Sequence, residues 1–136
     1  MAGLAADGDL VISMVAVAAE KVVGHVALSR MSVFADGAAV RALGLGPVAV
    51  VPERQRSGIG AALIEAGLEE AARAGVEIVF VLGEPAYYSR FGFDAAGARP
   101  FASPYAGPYF MALTLTDMVA AREGRADYAP AFARLG

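Results

Sequence analysis

At 136 residues, 57% apolar and with a formal net charge of −3, the chain has the length of one compact domain with its own core, and it lacks the basic excess expected of a nucleic-acid binder. The absence of cysteine and the single histidine, His25, exclude a disulfide framework, a thiolate metal site and a cysteine nucleophile, and they argue against bound zinc. The longest apolar stretch, 10–19, is broken by Ser13 and too short to span a bilayer, and residues 1–7 place no basic residue ahead of an apolar run, so a cytoplasmic protein without membrane contact is expected.

From Asp9 to Phe34 the β-branched runs Leu10–Val17 and Val22–Leu28, joined near Ala19–Lys21, predict a β-hairpin. After a turn at Ala35-Asp36-Gly37, the run Val40–Val51 predicts a third antiparallel strand, with Gly44, Gly46 and Pro47 placed to interrupt its ladder. Gly58–Ala74 reads as the clearest helix, with Ile59, Leu63, Ala66, Gly67 and Ala71 on one face and Glu65, Glu69 and Arg73 on the other. Gly75 ends it, and Val76–Leu82 is nearly all apolar, the pattern of a strand buried on both faces. Strand, helix, strand implies a right-handed parallel crossover. A short helix at Glu84-Pro85 carrying Tyr87 and Tyr88, an extended segment from Phe91, a loop over Pro100–Pro108 and a last strand over Tyr109–Leu115 complete the expected order.

The chemistry concentrates in Val48-Ala49-Val50-Val51-Pro52-Glu53-Arg54-Gln55-Arg56-Ser57-Gly58-Ile59-Gly60-Ala61, a strand, a polar loop and a helix start. The first backbone N–H groups of a helix have no intrahelical partner and sit at its positive dipole end, so they form an anion site. Glycine at 58 and 60 lets a phosphate approach the backbone, and Gln55, Arg56 and Ser57 add donors. No acid occupies the first helical turn, where acids favour helix stability. Neither a third glycine at dinucleotide spacing nor a Gly-Lys-Ser/Thr triplet is present.

These residues, Gln55-Arg-Ser-Gly58-Ile-Gly60, resemble the Arg/Gln-x-x-Gly-x-Gly/Ala hallmark of the GNAT superfamily of N-acetyltransferases. Val48–Pro52 is similar to the family strand whose backbone pairs with the pantetheine arm, and Tyr88-Ser-Arg-Phe-Gly92-Phe93 to its Tyr-x-x-x-Gly-Phe. The resemblance runs from Asp9 to Leu115 in element order. It implies one α/β domain over residues 1–136, of α+β type: a central mixed sheet flanked by helices and splayed at its middle, with the family's first strand and first two helices missing. It further implies acetyl-CoA as co-substrate, no metal, and an amine of a small molecule or protein attacking the thioester directly. Val48, Ala49, Val50, Gln55, Arg56, Ser57, Gly58, Ile59, Gly60 and Ala61 are then the coenzyme-binding set, and Tyr88 the general acid toward the departing thiolate. Arg54 could reach a coenzyme phosphate. His25, Glu84 and a water chain are candidates for the general base, with no assignment among them. An open sheet edge invites a homodimer. A non-catalytic acyl-CoA-binding module is the alternative.

Overall fold

The computed structural model describes residues 10–116 and 123–128. Among the described residues eight strands form one mixed sheet: β1 (Leu10–Ala18), β2 (Lys21–Ala35), β3 (Ala38–Val40), β4 (Ala42–Val50), β5 (Ile78–Leu82), β6 (Phe101–Ala102), β7 (Phe110–Thr114) and β8 (Gly124–Tyr128). The path runs β6-β8-β2-β4-β5-β7, with β1 and β3 also paired to β2. Helix α1 (Ile59–Arg73) joins β4 to β5, which pair in parallel, and two short helices, α2 (Pro85–Tyr88) and α3 (Ala95–Ala98), follow. The mixed α/β class expected from the sequence is the observed one. No described helix is long and apolar enough to cross a membrane.

Several boundaries differ from expectation. Strand β2 continues past Leu28 to Ala35, because Met31 and Val33 stay buried while Ser32 and Phe34 face solvent. Its first half lies between β1 and β4, its second between β3 and β8. The segment expected as the last strand is β7, and β8 follows it. Hydrophobicity does not mark β8. Ala126 is buried against β2, but Arg125 and Asp127 pair with each other at 2.8 and 3.0 Å on the exposed side, and the ladder from Met31↔Tyr128 to Ala35↔Gly124 makes the strand. Helix α3 was likewise unmarked in the sequence; the Asp94 carboxylate caps it by accepting from Gly97 N–H at 2.6 Å.

Two cores cover the two faces of the sheet. Ile64, Leu63 and Leu68 of α1 pack on Val26, Leu28, Val79 and Val81. On the opposite face Phe80 meets Phe101 edge-on at 5.2 Å and stacks on Phe110 at 5.1 Å, beside Met31 and Ile78. Strand β5 feeds both cores alternately, which is why its sequence is almost continuously apolar.

Gly44 faces the second core with the Tyr128 ring lying directly on it, and an added methyl would also come to 3.1 Å of Met31 Sδ. Since the half-buried Tyr128 ring packs against the second core, Gly44→Ala is expected to destabilise the fold by about 1–3 kcal/mol, read from urea unfolding. Burial, and then proximity to Tyr105, push the Tyr128 hydroxyl well above its ordinary range. A group whose folded-state pKa is raised loses its stabilising contribution as pH climbs from its unfolded value, ~10 for tyrosine, toward the folded one. The melting temperature is therefore expected to fall above pH ~10, and Tyr128→Phe to flatten that fall.

The feature that positions the site lies at the sheet's centre. Parallel pairing of β4 with β5 covers only Ala42–Leu45 against Ile78–Val81, while β4 continues along β2 to Val50. The break comes at Gly46-Pro47, where the β2 register also shifts and where proline has no N–H to donate. Beyond it the two strands separate, and the sheet is open on one side of β4.

Candidate functional site

Val51 N–H donates to the Val23 carbonyl at 2.8 Å. Bonded and non-bonded pairs alternate along an antiparallel ladder. Ala49 is therefore bonded to its partner His25, whereas Val48 and Val50 turn their main-chain groups away from β2, into the gap left by β5. The Gln55 amide donates to the Val50 carbonyl at 3.0 Å and ties the following loop to the strand. A 3₁₀ turn at Pro52–Arg54 and a hydrogen bond from the Ser57 hydroxyl to the Arg54 carbonyl fold that loop back on itself.

The loop delivers Gly58 to the N-cap of α1 with φ +88°, a left-handed conformation open to glycine at little cost. Among the described residues no side chain caps this helix and a methyl at Gly58 would meet nothing within 4 Å, and no acid sits in the helix's first turn. A methyl at Gly60 would fall 3.5 Å from Tyr87 Oη and 3.7 Å from Val50 Cγ2. The unpaired donors of the first turn thus face a cleft of about 460 Å³, lined by Val48, Val50, Arg54, Gln55, Arg56, Gly58, Gly60, Ala61, Tyr87, Tyr88 and Arg90. Among the described residues none of its three arginines forms a salt bridge. An uncapped helix terminus and three guanidinium groups around one cleft suit a polyanion.

The far wall is aromatic. The Tyr88 ring lies on Gly83 and contacts Tyr87, Phe91 and Phe93 with centroids 5.0, 6.3 and 6.0 Å away. Arg90 stands 4.7 Å above the Tyr87 ring. Burial, and then the neighbouring Tyr87 hydroxyl, raise the Tyr88 pKa, so Tyr88 stays protonated across the neutral range.

The acetyltransferase (GNAT) domain family model matches residues 8–96, well over half of the chain. The chain belongs to the GNAT family. Among curated proteins, this GNAT chain is 38% identical over 89 residues to the uncharacterized N-acetyltransferase YjhQ of Escherichia coli K12, covering 65% of this chain and 49% of that protein. It is 37% identical over 91 residues to the uncharacterized N-acetyltransferase YhbS of the same organism, covering 66% and 53%. The chain thus spans about half the length of the curated relatives it matches. The crystal structure of E. coli YhbS in complex with CoA superimposes with a TM-score of 0.85 at 30% identity, over 99% of this chain and 76% of that one. A Brucella melitensis GNAT acetyltransferase in complex with acetyl-CoA gives 0.74 at 36% identity, over 96% and 74%.

Of the coenzyme-binding set expected from the GNAT motif, Val48, Val50, Gln55, Arg56, Gly58, Gly60 and Ala61 line the cleft, together with Tyr88 and Arg54. Ala49, Ser57 and Ile59 are not among the lining residues. The side chain of Ala49 lies on the opposite face of the sheet, Ser57 is spent on the loop turn, and Ile59 packs on the first core. Tyr87, which the sequence marks only as an aromatic neighbour of Tyr88, and Arg90 were not singled out. Their signal was available: both fall on the short helical stretch that also carries Tyr88. Glu84, a candidate base, is exposed at the start of α2, where its carbonyl accepts the N–H groups of Tyr87 and Tyr88.

Proposed function

We propose that this GNAT chain binds acetyl-CoA in the cleft between β4 and β5 and moves the acetyl group to a primary amine. The observation that carries the reading is the uncapped, glycine-fronted start of α1 opening onto that cleft, opposite Tyr88. In this reading the first-turn N–H groups, with Arg54, Arg56 and Arg90, hold the coenzyme's phosphates, and the main chain of Val48 and Val50 pairs with the pantetheine arm. Donors already fixed in a strand need no reorganisation as charge develops on the thioester oxygen, and positioning the amine beside it supplies much of the remaining rate. The coenzyme contributes an activated acyl group. Tyr88 gives its proton to the departing sulfur. Desolvation raises the proton affinity of a thiolate in the cleft as it does that of Tyr88, which keeps donor and acceptor matched. The CoA and acetyl-CoA complexes of the two GNAT structures support the choice of ligand.

The test is release of free thiol from acetyl-CoA in the presence of methylamine, benzylamine, lysine and spermidine. Amine-dependent release is expected. Tight binding with no release above the uncatalysed rate would leave the chain a coenzyme-binding module.

A further inference from the structure

The contacts across the cleft give it a direction. β4 and β5 pair only as far as Leu45 and Val81, so the gap between them opens progressively from Val48 to Val50. At the wide end a methyl on Gly60 would lie 3.7 Å from Val50 Cγ2 and 3.5 Å from Tyr87 Oη, which puts the Tyr87 phenol over the first turn of α1. At the narrow end the Tyr88 ring lies on Gly83, the residue that follows β5. The two adjacent tyrosines thus serve opposite ends, Tyr88 where the thioester is placed and Tyr87 where the helix terminus offers its donors to an anion. We infer that Arg90, held on the Tyr87 ring, pairs with the ribose 3′-phosphate of the coenzyme and makes the site selective for the complete coenzyme over its 3′-dephospho form. The inference rests on the acetyl-CoA reading above.

The three guanidinium groups that border the cleft are not equivalent. Arg54, Gln55, Arg56 and the first-turn donors of α1 belong to one contiguous segment on one wall. The coenzyme's pyrophosphate, two joined phosphates, suits that segment. The third phosphate branches from the ribose, off the line of the pyrophosphate, and a cation on the other wall is placed for it. Arg90 is that cation, carried by the stretch that follows β5.

Its contact with Tyr87 prepares it for this role. Residues 87 and 90 are three apart across the junction of α2 and the 3₁₀ turn Ser89–Phe91, so their side chains meet, and the guanidinium carbon stands 4.7 Å from the ring centroid. The ring is itself fixed by edge contacts with Tyr88 at 5.0 Å and Phe91 at 5.5 Å. Apart from this ring Arg90 has no hydrogen-bond or ion-pair partner among the described residues. Its fork of N–H donors is therefore left for a ligand, and that fork matches two oxygens of a phosphate. Resting on the ring also restricts a long side chain before the ligand arrives, which lowers the ordering cost of binding. Tyr87 is accordingly the positioning residue of Arg90.

The test is a cycle of calorimetric titrations, the parent and Arg90→Gln each with acetyl-CoA and with 3′-dephospho-acetyl-CoA. The parent should bind acetyl-CoA about 10-fold to 100-fold more tightly than the dephospho form, the worth of a hydrogen bond between charged groups. Arg90→Gln should lose most of that preference, through weaker binding of acetyl-CoA and not through tighter binding of the dephospho form. Tyr87→Phe, which keeps the ring, should keep the preference, and Tyr87→Leu, which removes it, should reduce it. Arg73→Gln removes the same charge from the exposed side of α1 and should leave the preference intact, which separates a local pair from the general field of the molecule. Equal affinities of the parent for the two compounds, or a preference unchanged in Arg90→Gln, would overturn the inference. Binding of neither compound by the parent would instead sink the acetyl-CoA reading on which it rests.

Discussion

Gly58→Glu is expected to weaken acetyl-CoA binding about 100-fold, or ~2.7 kcal/mol. Two effects add. Glycine holds φ +88° there; a residue with a Cβ is strained by ~1–2 kcal/mol in that region, so the free loop is expected to relax away from it and binding must restore it. The new carboxylate would also lie at the positive end of α1, where an anion gains up to ~2 kcal/mol, and would satisfy the donors left for the ligand. Gly58→Ala separates the two, since nothing within 4 Å blocks its methyl and it carries the strain without the charge. Calorimetric titration of both variants should place Gly58→Ala between the parent and Gly58→Glu. Equal affinities for Gly58→Glu and the parent would remove the helix terminus from the binding site.

The second large effect is expected at Tyr88. Tyr88→Phe removes one oxygen from a ring that still packs on Gly83, Phe91 and Phe93, so the fold and the affinity for acetyl-CoA should be retained. The turnover number should fall by about 100-fold to 10,000-fold, the usual contribution of a positioned acid. The pH profile gives the sign. Only the protonated hydroxyl can donate, and burial together with Tyr87 raises its pKa, so the alkaline loss of activity should begin above tyrosine's ordinary ~10. In Tyr88→Phe that alkaline limb should be absent. An unchanged turnover number would return Tyr88 to the packing role its aromatic neighbours also fit.

Much of the architecture was written in local patterns. The alternating and β-branched runs gave β1, β2 and β4, the 3.6-residue spacing gave α1, and the continuous apolar run 76–82 announced a strand covered on both faces. Gly46 and Pro47 announced the break in β4, because neither suits a regular ladder. What stayed hidden depends on distant partners. β8 is a strand because β2 offers it an edge, not because Gly-Arg-Ala-Asp-Tyr favours one. Gly44 reads as a ladder defect in sequence, whereas in the fold it makes room for Tyr128 from the far end of the chain. The cleft was legible on its glycine side, where the residues are contiguous. Tyr87 and Arg90 face Gly60 and Arg56 only because β5 brings the two segments together, and His25, a candidate base in sequence, is bonded to Ser13 of β1 by hairpin register and does not line the cleft.

Calorimetric titration of the chain with acetyl-CoA tests the central claim most directly. One molecule of acetyl-CoA should bind per chain, with an affinity that falls as salt is added, because three arginines and a helix terminus border the cleft proposed for its phosphates. Absence of both binding heat and any thermal shift at saturating acetyl-CoA would contradict it.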